Sequence, residues 1–336
     1  MRTMWKYMTA AALTVILVSG CRKELCYDHH LHGLSVKVNM ISDWELEWER
    51  MYGYDWEELW EEEWMEYESY RPSAASGIRA VVWRPDGASS ESNHATEGGM
   101  LPLYEGKNEI MLYNNDTEYI VFDGMGASAG ARATTRTLTR GGFTDLHEGE
   151  RTVTAPDQLF GSYIEEYETA LSRDTTDLEV TMRPLTYKYV IHYRITKGQE
   201  YVALARGALA GMAESVYLND GHTGDESATL MFDCDLVDYG AHAAVTSFGV
   251  PNYPGHHYTR ADGSEAKYTL SLQVRLRNGE IPDDFVFDVT DQINQQPRGG
   301  VIVIDGIEIE STGGGEGAFD VEVDGWGDYI DIELPL

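Results

Sequence analysis

Five of the eight tryptophans stand within one stretch, Asp43–Glu68: Trp44, Trp48, Trp56, Trp60 and Trp64. The same stretch holds twelve acidic residues against Arg50 alone, a net charge of −11. Aromatic faces rimmed by carboxylates can stack on a sugar ring and hydrogen-bond its hydroxyls, or grip a partner protein. The spacings 44/48 and 56/60/64 are helical, and Asp55 followed by Glu58 resembles a capping box. They predict a helix over about 56–67 with Trp56, Trp60, Trp64 and Tyr67 on one stripe. An aromatic stripe at helical spacing is more often a buried face than a ligand platform. The expected role is therefore an acidic surface helix packed on a sheet, with the sugar or protein platform as the alternative.

The second pattern with specific chemistry is N-terminal. Met1–Gly20 carries Arg2 and Lys6, continues through the apolar run Ala10–Val18 and ends in Ser19-Gly20-Cys21. The run is shorter than the roughly 18–20 residues of a membrane span and is followed by small residues, as in a secretory signal peptide. Leu17-Val18-Ser19-Gly20-Cys21 resembles a bacterial lipobox, in which the cysteine is diacylated on sulfur, becomes the new N-terminus and is acylated on nitrogen. Two or more acyl chains anchor stably, since each buried methylene contributes about 0.8 kcal/mol. Cys21 is assigned to lipidation, and the lipid bilayer is the first expected partner. Cys26 and Cys234 are too isolated in sequence to be assigned a disulfide.

Other reactive groups have no spacing that defines a reaction centre. There is no Gly-Lys-Ser/Thr phosphate loop and no His-Glu-x-x-His helix, and no Gly-x-Ser-x-Gly nucleophile elbow is expected. His29, His30, His32 and the pair His256-His257 read as solvated tether and turn residues rather than metal ligands. Asp220–Glu226 lacks the alternating oxygen ligands of a calcium loop. Carboxylates are so abundant that any two form a nominal acid/base pair, which carries no information. No enzyme activity, cofactor or metal is expected.

The chain has 336 residues and a formal net charge of −32. Removing Met1–Gly20 leaves 23 basic against 57 acidic residues, or −34. Such a surface repels phosphate backbones, so nucleic acid is excluded as a partner. A composition of 42% hydrophobic and 11% aromatic residues still supports packed cores.

The elements that must position these residues read as strands. Leu34–Met40, Tyr187–Ile195 and Tyr268–Leu276 alternate apolar residues with others, and Ile78–Trp83 and Val301–Ile304 are compact apolar runs. Asn108–Tyr113 and Glu118–Phe122 flank Asn114-Asn115-Asp116-Thr117 as a predicted hairpin. Ala127–Gly142, with Arg132, Arg136 and Arg140, reads as a loop or exposed strand. Ala203–Ala213 is predicted as a short helix weakened by Gly207 and Gly211. Ile330, Ile332, Leu334 and Leu336 share one face at the C-terminus. A composition change near Asp174–Arg183 divides the chain into a signal peptide (1–20), a tether (21–32) and two β-sandwich domains (33–182 and 183–336).

The lipobox and the Trp/Glu segment are joined by Tyr113-Asn114-Asn115-Asp116-Thr117-Glu118, Thr134-Thr135-Arg136, Arg183-Pro184-Leu185-Thr186-Tyr187 and Asp288-Val289-Thr290-Asp291-Gln292. In this order, and over nearly the whole chain, they resemble an uncharacterised lipoprotein family of the fimbrillin superfamily, related to the FimB-type fimbrial anchors and minor subunits. The resemblance implies an all-β chain of two tandem transthyretin-like, Greek-key β-sandwich domains, with the acidic Trp-rich helix inserted in the first. It implies a lipid-anchored, surface-exposed location at the outer membrane and no catalytic residues. In that superfamily a strand of one subunit completes an open sheet of its neighbour. The polymerising pilins first lose an N-terminal strand to an Arg-directed protease, a cut that would sever this fold from Cys21. The expected function is thus a fimbrial anchor or accessory subunit in cell adhesion, meeting a pilin subunit by strand addition. The alternative is a surface glycan- or protein-binding lipoprotein using Trp44–Trp64. Ile330–Leu336 is the candidate donor strand, against its plainer reading as a final edge strand.

Overall fold

The computed structural model describes residues 35–46, 55–139, 147, 149–255, 257, 259, 263, 265, 267–310 and 330–331. Within them the chain is nearly all β. The strands in chain order are β1 (Val38–Trp44), β2 (Gly77–Trp83), β3 (Ser89–Ala95), β4 (Gly98–Leu101), β5 (Gly106–Asn114), β6 (Ile120–Asp123) and β7 (Arg132–Thr135). They continue as β8 (Leu138–Thr139), β9 (Thr152–Thr154), β10 (Phe160–Thr169), β11 (Thr176–Pro184), β12 (Tyr187–Lys197), β13 (Val202–Ala213) and β14 (Ser215–Tyr217). The last are β15 (Ser227–Val237), β16 (Gly240–Ser247), β17 (Thr269–Leu276), β18 (Phe285–Asp288), β19 (Gly300–Glu308) and β20 (Ile330–Asp331). Two short helices are α1 (Trp56–Leu59) and α2 (Thr290–Gln295).

Seven strands close into a barrel in the order β1-β11-β10-β5-β2-β3-β4, with β1 parallel to β11 and antiparallel to β4. Closure gives each of the seven strands a partner on both sides, although β10 meets β11 only at Phe160 and Gly161. Ile78, Ala80 and Val82 of β2 point inward to Met40, Ile110, Leu112, Phe160 and Met182. Val81 and Trp83 point outward but are equally buried, packing on the three-stranded sheet β14-β7-β6 through Ile120, Ala133 and Val216. Burial on both faces is why this strand reads as a nearly unbroken apolar run.

The hairpin expected across Asn114–Thr117 does not form. β5 pairs with β2 and β10, whereas β6 pairs with β7. Side chains satisfy the turn from distant parts of the chain: Asn114 Oδ1 accepts the Phe160 N–H at 2.7 Å, and Asp116 Oδ2 accepts the Ser76 N–H at 2.8 Å. Asp157 Oδ2 accepts the Glu118 N–H at 2.7 Å. The turn residues are the expected ones, but their partners send β6 into another sheet.

The second sheet runs β18-β17-β13-β15-β16-β12-β19, with β9 added to β15. β15 pairs with β13 over most of its length, from Ser227 to Cys234, with β9 at Thr229–Met231, and with β16 only at Asp235–Val237. Tyr189, Ile191, Tyr193 and Ile195 from β12 meet Leu270, Leu272, Val274 and Leu276 from β17 in its core. These are the alternating faces visible in the sequence. Ala203–Ala213, by contrast, is no helix: it lies in β13, paired on one side with β15 and on the other with β17. Gly207 lies against the Phe232 ring and the Tyr193 hydroxyl, where no Cβ fits. Ladder bonds on both sides outweigh a weak local helix propensity. β7 and β9 pair with β14 and β15, so strands that precede β10 in the chain join those that follow β12.

Candidate functional site

The acidic tryptophan segment begins as the sequence predicts, with Asp55 accepting the Glu58 N–H at 3.3 Å as an N-cap. The helix then stops. α1 spans only Trp56–Leu59, and Trp60 is already extended. A helix continued to residue 67 would place Glu66 in its last turn, at the negative end of the helix dipole, with no offsetting cation from the segment itself. The chain instead turns back and closes with a 3-10 turn over Tyr67–Tyr70.

Packing brings the aromatics together without the helix. Trp60 lies edge-on to Trp64, Tyr67 and Tyr70 at ring separations of 5.0, 5.0 and 5.6 Å. The group covers the outer face of the second sheet through Val190 of β12 and Val301 of β19. Trp64, 7% exposed, stacks on the His192 ring at 4.0 Å with 12° between the planes. Arg194 pairs with Glu61 and, at 3.6 Å, with Glu63. Lys188 Nζ donates to the Tyr70 carbonyl at 2.8 Å.

Beneath Trp64 lies a row of polar rings, buried but for the half-buried Tyr239. Tyr70 Oη and His242 Nε2 are 2.7 Å apart, His192 Nδ1 and Tyr239 Oη are 2.6 Å apart, and the two imidazole centroids are separated by 5.3 Å. Burial, reinforced by His242 and Arg194, pushes His192 down to about 3. Burial also lowers His242 and raises Tyr70 to about 12. Both imidazoles are therefore neutral at neutral pH; each lies against a tyrosine, and His242 is also opposite Asp235 of β15, whose charge partly offsets the effect of burial. The arrangement has the chemistry of a packed joint between the segment and the sheet. Next to it, a cavity of about 120 Å³ between barrel and second sheet is lined by Tyr70, Phe160, Tyr187, Lys188 and Thr246, among others.

The structure does not gather the tryptophans onto one surface. Trp56 Nε1 donates to Gln296 Oε1 at 2.8 Å and Trp60 Nε1 to the Met65 carbonyl at 2.9 Å, so these two join Trp64 on the second sheet. Trp44 belongs to the barrel, edge-on to Phe160 at 5.1 Å with its Nε1 donating to the Thr96 carbonyl at 3.1 Å. Trp48 lies outside the described residues, as do Cys21, Ile332, Leu334 and Leu336. Of the candidate donor strand, Ile330 and Asp331 pair antiparallel with Thr139 and Leu138 of β8.

Sequence reasoning did not single out Tyr70, His192, Tyr239 and His242, which hold the segment down. The available signal was the alternation in β12, whose second face carries Lys188, Val190, His192 and Arg194. One pentad, Gly126-Ala127-Ser128-Ala129-Gly130, does have the spelling of a nucleophile elbow. Ser128 opens a 3-10 turn, its hydroxyl donates to the Glu109 carboxylate, and Tyr163 Oη lies 3.4 Å from it. That is a buried polar contact without the imidazole base an elbow serine requires.

A family model described as "Domain of unknown function (DUF5119)" matches residues 63–233. "Putative fimbrium anchoring subunit Fim4B" of Bacteroides ovatus is 21% identical over 350 aligned positions, covering 96% of each chain. The solved structure of "a putative adhesin from Bacteroides ovatus" superposes with a TM-score of 0.59 at 19% identity, covering 88% of this chain and 99% of that one. The fimbrial anchor protein Mfa2 from Porphyromonas gingivalis gives a TM-score of 0.43 at 13% identity, covering 80% and 90% of the two chains. The family match takes in just over half the chain, from Glu63 on the second sheet's outer face through the barrel strands to Asp233 in β15, and on that ground the chain belongs to the DUF5119 family.

Proposed function

We propose that this chain is a non-enzymatic outer-membrane lipoprotein, acylated at Cys21, that serves as an anchor or accessory subunit of cell-surface fimbriae. The observation that carries the reading is similarity from end to end, over 96% of both chains, to a protein named as a fimbrium anchoring subunit. The lipobox-like Leu17–Cys21 supplies the anchor, residues 21–32 a tether, and 33–182 and 183–336 two β domains that face a pilin partner. The Trp44–Trp64 glycan platform is the weaker reading: Trp64 is buried, the indole N–H groups of Trp56 and Trp60 are engaged, and Trp44 is in the barrel.

The test is metabolic labelling with palmitate together with recovery of fimbrial subunits on the purified chain. Label should enter the wild type and be lost in Cys21→Ala, which should leave the membrane fraction, and a pilin should co-purify with the wild type. A Cys21→Ala protein that remains membrane-bound and unlabelled wild type would refute the anchor. Labelled protein that never recovers a pilin would refute the fimbrial role.

A further inference from the structure

Helix α2 begins in the tract Asp288–Gln292, one of the motifs carrying the family resemblance, and the proposed function makes no use of it. β19 has β12 as a parallel neighbour on one side. On its other side no strand pairs with it among the described residues. Its backbone groups there are met by side chains. Gln292 Oε1 accepts the Val303 N–H at 3.0 Å while its Nε2 donates to the Val303 carbonyl at 3.3 Å. Gln296, just past the helix end, repeats this on Val301, accepting the N–H at 2.9 Å and donating to the carbonyl at 2.9 Å.

The match is geometric. Residues four apart on a helix rise about 6 Å, and alternate residues of a strand are separated by about 6.6 Å, so the two glutamines meet Val301 and Val303 nearly in register. A primary amide offers a donor and an acceptor side by side, as a peptide group does. Each glutamine thus exchanges both bonds with one valine, as a residue of an antiparallel neighbour does in a hydrogen-bonded pair. The space is shaped for this: at Gly300 any Cβ would collide with the Gln296 amide. Trp56 Nε1 donates to the same Gln296 Oε1 at 2.8 Å, so the acidic segment pins the amide from outside. The cover itself is slight. α2 has six residues and no side-chain N-cap bond, too short to stand alone, and it is held by Val289 and Ile293 in the core.

We propose that Gln292 and Gln296 act as a side-chain surrogate for an edge strand, closing β19 to strand addition, and that uncovering this edge lets two copies of the chain pair through it. The occupant is a second copy because Val301-Ile302-Val303-Ile304 is uncharged and wholly β-branched, so the same run from another molecule meets it without like-charge contact at the edge. An antiparallel pairing of identical edges is also self-complementary about a two-fold axis. This inference stands apart from the fimbrial reading, since it requires neither a lipid nor a pilin.

The experiment combines residue-resolved amide exchange with detergent-corrected light-scattering mass on the full chain over a concentration series. The wild type should be monomeric with Val301 and Val303 protected. In Gln292→Ala/Gln296→Ala both amides should exchange about fivefold faster or more at low concentration, the loss expected for one net hydrogen bond each. That variant should then dimerise and regain protection as concentration rises. A double variant whose two amides exchange freely yet stays monomeric overturns the proposal, and so does a wild type that dimerises equally well. Should the double variant fail to fold, Gln292→Ala alone decides: Val303 should exchange faster with Val301 unchanged, and an unaltered Val303 rate overturns the proposal.

Discussion

The barrel and the second sheet face the same problem of unpaired edges and apolar faces, and they solve it with different groups. The barrel closes through its backbone, with β1 bonded to both β11 and β4. The second sheet leaves β19 to be completed by two glutamine amides and its outer face to be covered by a segment that precedes β2 in the chain. Backbone ladders neither titrate nor disappear with one substitution, whereas a substitution removes a glutamine closure and the covered face rests on an imidazole that titrates. Tryptophan shows the contrast within one residue type. Trp44 packs against Phe160 in the barrel, while Trp64 caps the second sheet by stacking on an imidazole.

Truncating that cap should produce the largest effect. Trp64→Ala removes a buried ring and should cost about 3–5 kcal/mol, read as a shift in the denaturation midpoint of the second sheet. A cost near zero would mean that the segment merely rests on the surface. Acid should come next. His192 binds its proton at about 3 in the folded chain against an ordinary value of 6.5, so the unfolded state takes up the proton first. Its contribution is complete above pH 6.5 and is lost as pH falls through 6.5 towards 3, amounting to about 2 kcal/mol between pH 7 and pH 5. A pH series of denaturation curves should show this slope in the second sheet and a shallower one in His192→Phe; identical slopes would remove the imidazole from the account.

In the barrel, Trp44→Phe keeps the aromatic packing and deletes only the bond to Thr96. About 1 kcal/mol should be lost, equally at pH 7 and pH 5, when the same curves are recorded. A pH-dependent loss there would break the distinction between the two regions. Smallest of all, Arg194→Met severs the half-exposed pairs to Glu61 and Glu63. Thermal melts should move by less than about 1 kcal/mol, and the difference should shrink with added salt.

How far the fold could be read in advance varies with the range of the interaction that decides each element. The inward faces of β12 and β17 follow from alternation between near neighbours, and the strands carry those residues inward as read. The Asp55 cap was legible because its partner, Glu58, is three residues away. The helix length was not, since Trp60 and Trp64 gain more from Val190 and His192 than from a continued helical turn. For β13, an Ala-rich run with helix propensity became a strand because β15 and β17 pair with it on either side. The acidic segment was recognisable as the unusual part of the chain, whereas His192, Tyr239 and His242 beneath it lie more than a hundred residues away and share no local pattern with it.

Residue type and short spacing alone set the strand faces, the acidic Trp-rich stretch and the formal net charge of −32. Only the tertiary structure decided which surfaces meet. Trp56 reaches Gln296 across 240 residues, and Gln296 in turn completes the edge of β19. Hydrophobic periodicity specifies that a face must be buried but not against what, because any apolar surface of matching shape removes it from water equally well. Directional hydrogen bonds and ring stacking select among those surfaces, and they act only once the chain has brought the distant groups together.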